Sequence, residues 1–170
     1  PLHVRGAQLR HSYVFGRGMT FVDLKPAAEK VKDNPYNKTA MFSMQAYETN
    51  NLALFTDGNF FAMLNDVTKI FTIIPVKQIT GIVTDPDDSS KIRYFKRSWS
   101  SNGKFMEEWI PLARYKRSDT LARQIDNGSG QPVPVSKTNV IYHLATKRQS
   151  GWVWGVPDSL AAMIWTLAYS

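Results

Sequence analysis

Apolar residues recur every three to four positions in the first third of the chain, which is the spacing of helices with one buried side. This spacing predicts helices over residues 5–15, 26–33 and 38–56, separated by a short strand at 19–24 and a turn at 34–37. Pro26 suits the first position of the second helix, and Gly58 suits the end of the third. Within that third helix, Met41 and Met44 are expected to fill the core.

After Gly58 the pattern changes to the two-residue alternation of strands. Strands are predicted over residues 59–65, 68–74, 80–85, 91–100, 105–112 and 138–146. Asn102–Gly103 is the strongest short hairpin signal between two of them. In the strand over 91–100, Ile92 and Tyr94 alternate with Arg93, Phe95 and Arg97, which predicts a face that is polar and basic.

Residues 113–137 have no periodicity and contain the turn-forming run DNGSGQPVP. We expect an exposed loop, an insertion or a joint here, because structureless stretches of this length are uncommon in compact domains. A helix is predicted over 158–170. The order of helices, an antiparallel meander, a loop, a strand and a helix indicates an α+β fold in a single domain spanning 1–170.

The stretch SGWVWGVPDSL, residues 150–160, has the pattern of a rigid elbow. Gly155 lets the chain turn where a Cβ atom would clash, and Pro157 suits the first position of the helix that follows. Trp152 and Trp154 are expected to stand on one side of the extended segment. They would brace the elbow or a subunit interface beside it, and the alternative is that both fill the core.

Composition supports a folded protein and excludes several chemistries. Of the 170 residues, 43% are hydrophobic and none is cysteine, which excludes disulfides, thiolate metal sites and cysteine catalysis. The longest apolar stretch is shorter than the 20 or so residues that cross a bilayer, so no membrane association is expected. The chain lacks an initial methionine and stops within a predicted helix, which suggests a fragment.

No set of catalytic, cofactor-binding or metal-ligating residues emerges from the sequence. The histidines, His3, His11 and His143, lack metal-ligand spacing, and His143 is expected to be an ordinary strand residue. The acidic turn at 85–90 lacks the glycine and glutamate of a calcium loop. Glu107 and Glu108 are adjacent, so they point to opposite faces of a strand. We therefore predict neither an enzyme nor a cofactor.

Positive charge is concentrated in one part of the chain. The net charge is +7, and residues 91–125 hold nine basic side chains against three acidic ones. Such a segment is typical of a surface that contacts a polyanion or an acidic protein partner, or of a surface that keeps a protein soluble. The candidate contact residues are Lys91, Arg93, Lys96, Arg97, Arg114, Lys116 and Arg117.

Aromatic residues alternate with these basic ones, which leaves two interpretations open. On an exposed face, bases of a nucleic acid could stack on the rings, and residues 91–117 would form a free-standing nucleic-acid-binding β module. On a half-buried sheet, every second ring would pack in the core. The alternation favours the second interpretation. The six rings are Tyr94, Phe95, Trp99, Phe105, Trp109 and Tyr115.

Four segments, in the same order along the chain, resemble the portal (head–tail connector) proteins of tailed bacteriophages. The segment VIYHLATKRQSGWVWGVPDSLAAM is similar to the family's strand ending in an "iyH" pattern, followed by a "G-x-P" elbow and a long helix. The other three are LRHSYVFGRGMTF, ALFTDGNFFAML and IFTIIPVKQITGIVTDPDDSSKIRYFKR. The positions that carry the motifs look architectural: Gly18, Gly58, Asn59, Gly155 and Pro157.

The resemblance implies a structural role in the virion. Portal subunits form a ring, usually of twelve, at one capsid vertex, and double-stranded DNA is pumped through it by a terminase. Capsid and head–tail adaptor proteins are the other partners, and assembly takes place in the cytoplasm of the bacterial host. The chain would correspond to the wing and, over 158–170, to the start of the stem helix. The rest of the stem, the clip, the tunnel loop and the crown would be missing.

Overall fold

The computed structural model describes residues 25–114, 134–148 and 151–160, together with four single positions near the start of the chain. Those four, Arg5, Gln8, Leu9 and Ser12, are helical, as the prediction over 5–15 requires. The rest of that helix and the strand predicted over 19–24 lie outside the described residues. So do most of the loop predicted over 113–137 and the helix beyond Leu160.

The described helical region consists of three helices and one wide turn. They are α1 (Pro26–Asp33), α2 (Pro35–Asn37), a π-helical turn (Lys38–Phe42) and α3 (Met44–Asp57). The prediction of α1 with proline at its start is confirmed. The turn predicted at 34–37 is wrong, because Pro35–Asn37 form α2 and the Asn34 side chain caps this helix by accepting a hydrogen bond from the Tyr36 amide.

The single helix predicted over 38–56 is also wrong, because the chain breaks at Ser43. This residue is extended, and its side chain accepts a hydrogen bond from the Ala46 amide, so it caps a new helix rather than continuing the old one. The break changes which residues face inward. Ala46 is buried, whereas Met44, expected in the core, is 47% exposed. Gly58 ends α3 in the left-handed conformation, as predicted.

Six strands form two antiparallel three-stranded sheets. Their bounds are β1 (Asn59–Asn65), β2 (Phe71–Ile74), β3 (Ile79–Thr84), β4 (Ile92–Ser101), β5 (Lys104–Pro111) and β6 (Asn139–Ala145). The strand orders are β2-β1-β6 and β3-β4-β5. Helices combined with antiparallel sheets confirm the predicted α+β class.

The strand predicted from residue 68 begins only at Phe71. The Asn65 side chain accepts hydrogen bonds from the Val67 and Thr68 amides, and Lys69 has a positive φ of 56°. These contacts hold the segment before β2 in a compact turn, so it cannot extend the ladder.

The strand β4 contains a bulge that the sequence pattern did not predict, and it ends at the hairpin turn that the pattern did predict. Val83 pairs with Tyr94 while Thr84 pairs with Ile92, so Arg93 is the extra residue of a bulge. Ile92 and Phe95 consequently share one core, and the predicted strict alternation is wrong at this point. The hairpin turn is confirmed, because Asn102 and Gly103 both have positive φ, as a type I′ turn requires.

One hydrophobic core collects side chains from all six strands. Its buried members are Phe61, Met63, Ile74, Ile79, Ile92, Phe95, Ile110, Leu112 and Ile141. The two sheets meet where Leu112 pairs with Ile141 in parallel. Val135 also pairs with Trp109, so the loop predicted over 113–137 is wrong at its C-terminal end, which lies along β5.

A buried asparagine fixes the helical region to the first sheet. Asn37 is fully buried, and its amide group donates hydrogen bonds to the carbonyls of Val31 and Lys69 at 2.7 and 2.8 Å. Its Oδ1 accepts from the Phe71 amide at 2.7 Å. Because every polar atom of this side chain has a partner, its burial is compatible with a stable fold.

Candidate functional site

Four distant parts of the chain meet in one place, which we call the elbow joint: the end of α3, the start of β1, the end of β6 and residues 155–159. The Thr146 amide donates to the Gly58 carbonyl at 2.9 Å, and the Val156 amide donates to the Thr146 carbonyl at 2.9 Å. The Ser159 amide reaches the Phe55 carbonyl at 3.3 Å. Backbone hydrogen bonds therefore fix the elbow to both the helix and the sheet.

Asn59 lies at the centre of the elbow joint. It is 4% exposed, and its Oδ1 accepts from the Gly155 amide at 2.8 Å and lies 3.1 Å from Nε2 of His143. Its Nδ2 donates to the carbonyl of Asp57 at 2.9 Å and to that of Gly155 at 3.3 Å. Since Oδ1 can only accept, Nε2 of His143 carries a proton.

Two glycines allow the backbones to approach closely at the elbow joint. A Cβ atom on Gly155 would lie 2.1 Å from the Gly58 carbonyl oxygen and 2.7 Å from the backbone of Thr146. A Cβ atom on Gly58 would lie 2.6 Å from the Pro157 nitrogen. Larger residues do not fit at either position. Of the helix predicted over 158–170, only the first three residues are described, and there the Leu160 amide donates to the Pro157 carbonyl.

His143 is held neutral in the elbow joint. Its ring stacks on Phe61 with centroids 4.5 Å apart. Burial, and then the positive charges of Arg148 and Arg114, lower the pKa of His143 to about 4. A neutral imidazole matches its role as a hydrogen-bond donor to Asn59 and as a packing surface.

The two tryptophans of the elbow have different environments. Trp154 packs against the core, with its ring edge-to-face on Phe61 at 6.0 Å and near His143 at 6.4 Å. Trp152 is 56% exposed. Trp154 therefore packs against the core and Trp152 lies mostly at the surface, so the alternative that both fill the core is wrong for Trp152, and the brace stays a prediction.

Acidic side chains neutralise the first two candidate contact residues of the basic segment. Lys91 lies 3.1 Å from Asp88, and Arg93 forms an ion pair with Asp85. The Asp87 amide and then Arg93 lower the pKa of Asp85, and Ser90 followed by Lys91 lowers the pKa of Asp88 to about 2. Both carboxylates therefore stay charged, and the predicted turn at 85–90 holds cations of its own chain.

Lys96 and Arg97 also have partners within the chain. The Lys96 ammonium lies 2.8 Å from Glu107, and its hydrogen bond lowers the pKa of that carboxyl. Arg97 donates from Nε to the Gln78 side chain at 2.9 Å and lies over the Trp99 ring at 4.3 Å. Ion pairs and hydrogen bonds within the chain thus engage the basic residues of β4.

The remaining candidate cations are only partly described. Lys116 and Arg117 lie outside the described residues, and Arg114 is exposed in the turn that follows β5. Arg114 and Arg148 line an open groove of about 550 Å³, which we call the β6 groove. Sequence reasoning missed Arg148, because no periodicity joins it to the segment 91–125. The groove is lined by Leu112, Ala113, Arg114, Ile141, Tyr142, His143, Leu144, Ala145 and Arg148.

Of the six interleaved aromatic residues, the structure describes five, three of which are buried, and Tyr115 lies outside the described residues. Tyr94, Phe95 and Trp109 are buried, and Trp99 lies under Arg97. Phe105 is 72% exposed. This distribution favours the half-buried sheet over a continuous stacking surface for bases.

The described residues offer no group of three or more histidine, aspartate or glutamate side chains that could hold a metal ion. Across this same part of the chain, no helix combines the length and apolar character needed to cross a membrane. Comparison with known proteins found no matching family model, no matching curated protein and no matching solved structure.

Proposed function

We propose that this chain is a structural, non-enzymatic subunit of the portal ring at the capsid vertex of a tailed bacteriophage. In this role it forms part of the conduit through which double-stranded DNA is packaged and ejected, and part of the attachment point for the tail. Its partners would be other copies of the subunit, the DNA, a terminase, and capsid and head–tail adaptor proteins. It would be assembled in the host cytoplasm and retained in the virion.

The observation that carries the proposal is the convergence of four of the five motif positions, Gly58, Asn59, Gly155 and Pro157, in the elbow joint. The fifth, Gly18, lies outside the described residues. The Gly58–Asn59 pair, the histidine of the "iyH" pattern and the Gly155–Pro157 elbow come from three separate segments. Direct contacts connect them, including hydrogen bonds between residues 96 positions apart. The sequence related these motif residues only by their order along the chain. In the fold they contact one another and together hold the elbow against the helix and the sheet.

An elbow that is held at a fixed angle to the sheet suits a ring subunit. Neighbouring copies around an axis must all direct the segment after the elbow in the same way, so the angle between sheet and elbow has to be fixed. Backbone hydrogen bonds, a buried asparagine and two close-packed glycines fix this angle without any ligand. Buried, fully satisfied polar contacts of this kind restrict a structure to one arrangement.

The alternative, a free-standing nucleic-acid-binding module over 91–117, has less support. Four of its candidate cations, Lys91, Arg93, Lys96 and Arg97, already contact acceptors in the same chain. Neutralising phosphates would require these contacts to break or to be shared.

Native mass spectrometry of the complete gene product that contains this chain tests the proposal. We expect one dominant species of high, fixed subunit number. The 170-residue chain alone should bind duplex DNA weakly in a filter-binding assay. A monomeric gene product, together with tight DNA binding by the 170-residue chain that falls steeply with added salt, would support the alternative instead.

A further inference from the structure

We infer that the turn between β4 and β5 is a site of spontaneous covalent modification, at which Asn102 loses its side-chain amide group and becomes aspartate or isoaspartate. The reaction needs no enzyme, and its one co-reactant is water. This inference does not rest on the proposed function, because it concerns the chemistry of a single turn in the folded chain.

The chemistry depends on the residue that follows the asparagine. The backbone nitrogen of Gly103 attacks the side-chain amide carbon of Asn102, and a cyclic succinimide forms. The departing amide nitrogen takes up the proton of the backbone nitrogen and leaves as ammonia. Water then opens the ring, at the side-chain carbonyl to give aspartate or at the backbone carbonyl to give isoaspartate. Glycine favours the attack because it has no Cβ atom to crowd the nitrogen.

The structure leaves this turn open to water. Residues 100–106, which we call the hairpin tip, are all exposed. A Cβ atom added to Gly103 would have no other atom within 4 Å. Within the described part of the chain, the Asn102 side chain makes no hydrogen bond or ion pair. The attack therefore meets no steric obstacle and breaks no side-chain contact.

The folded turn opposes the reaction, so the hairpin tip has to open. Asn102 and Gly103 have positive φ of 50° and 73°, as a type I′ turn requires. In such a turn the Gly103 nitrogen points away from the Asn102 side chain, because the turn is the mirror image of type I. Ring closure therefore requires the backbone to rotate at Asn102, out of the turn conformation.

Opening is easy at the hairpin tip because few interactions hold it. The pairing of β3 with β4 ends at Arg97, opposite Ile79. Beyond this point, among the described residues, β4 and β5 pair with each other alone, and their last pair is Ser101 with Lys104. Two-stranded hairpins are marginally stable in water, and local opening costs least where few apolar contacts are buried. The most reactive sequence thus lies where the sheet is weakest.

Two buried asparagines provide a contrast within the same chain. Asn37 is fully buried and Asn59 is 4% exposed, and hydrogen bonds hold both amide groups. They precede Lys38 and Phe60, whose side chains crowd the attacking nitrogen. Neither should react in the folded protein. The other Asn–Gly pair of the chain, at 127–128, lies outside the described residues.

The two products have different consequences for the hairpin. Aspartate preserves the turn, because Asp–Gly also suits type I′, and it adds a negative charge beside Lys104. Isoaspartate directs the main chain through the side-chain carbon, which lengthens the two-residue turn by one backbone atom. The length of the turn fixes the register, so the pair of Ser101 with Lys104 is lost.

Peptide mapping of the complete gene product tests the inference. The folded protein is kept near pH 7 for several weeks in water enriched in heavy oxygen, so that only amides lost during this time acquire the label. Trypsin then releases residues 98–104 as one peptide. We expect labelled aspartate and isoaspartate at position 102, while Asn37 and Asn59 stay unlabelled. The same protein in urea should react roughly tenfold faster at position 102, since a marginally stable hairpin is open for about a tenth of the time.

The matched control is Gly103→Ala, compared with the parent in urea, where the turn is absent and its strain has no effect. The added Cβ atom should slow labelling at Asn102 severalfold, and equal rates would contradict the attack by the backbone nitrogen. Absence of label at position 102 in the folded parent, with label there in urea, would overturn the inference, because the turn would then keep the amide from reacting. Neither result affects the proposed function, which does not depend on this turn.

Discussion

At the scale of single residues, one asparagine connects three parts of the chain. Asn59 uses both atoms of its amide group toward Asp57, Gly155 and His143, and the longest of its four polar contacts is 3.3 Å. His143 completes the set as a neutral donor that is stacked on Phe61. The charge state of this histidine therefore affects the elbow directly.

Acidification should destabilise the protein through His143 before most carboxylates titrate. Its pKa is about 4 in the folded state and about 6.5 in an unfolded chain, so between these pH values only the unfolded state takes up the proton. The free energy of unfolding contributed by this group is complete above pH 6.5. It falls as the pH drops toward 4 and below, and about 2–3 kcal/mol of it is lost between pH 7 and pH 4.5. Urea denaturation at pH 4.5 and pH 7 measures the change.

The control for this prediction is His143→Gln, which retains a hydrogen-bond donor and cannot titrate. The variant should lose clearly less stability between pH 7 and pH 4.5 than the parent protein does. Equal losses in the two proteins would show that another group is responsible.

At the scale of elements, the crossing of Gly58 and Gly155 brings α3, β1 and the elbow together. The two glycines differ in what they require. Gly58 needs both a positive φ of 67° and open space, whereas Gly155 needs only the space. Gly151 has a positive φ of 79°, and a Cβ atom added there would have no other atom within 4 Å. A substitution at Gly151 therefore measures the cost of positive φ without the cost of a clash.

Gly58→Ala should therefore destabilise the protein far more than Gly151→Ala does. Both substitutions place a Cβ atom at positive φ, which costs about 1 kcal/mol. Only the first also forces a clash with the backbone of residues 155–157, which should add several kcal/mol. Thermal unfolding of the two variants provides the comparison, and equal melting temperatures would mean that the close approach is not needed.

The two elbow tryptophans give a second matched pair. Trp154→Ala removes a ring from the core edge and should cost about 3 kcal/mol, in line with other large-to-small substitutions. Trp152→Ala removes a side chain that is 56% exposed and should change stability by less than about 1 kcal/mol. Urea denaturation distinguishes them, and a larger effect at Trp152 would contradict the prediction that Trp154 is the ring that holds the elbow against the core.

Sequence reasoning predicted elements better than their connections. Alternation and the Asn102–Gly103 turn are local signals, so β1, β4, β5 and β6 appear within two residues of their predicted bounds. The break at Ser43 depends on one side-chain cap that competes with a continuous helical pattern. The elbow joint depends on contacts across nearly a hundred residues, and periodicity carries no information about such distances.

At the scale of the whole molecule, the charge pattern of the sequence and the exposed apolar side chains of the structure suggest different kinds of partner. The concentrated positive charge of 91–125 suggested a polyanion surface, but the cations of β4 are engaged by partners within the chain. The exposed large apolar side chains among the described residues are spread over the helices, the turns and both sheets, and they include Tyr36, Val67, Phe105, Leu144 and Trp152. These features favour contacts between proteins over a free nucleic-acid-binding face.

Electron cryo-microscopy of the complete gene product tests the central claim most directly. The account predicts a closed ring around an axial channel, in which each copy places its two sheets in the outer body and the segment after Pro157 runs toward the axis. A monomeric particle without a channel, in which that segment folds back over the sheets, would contradict it.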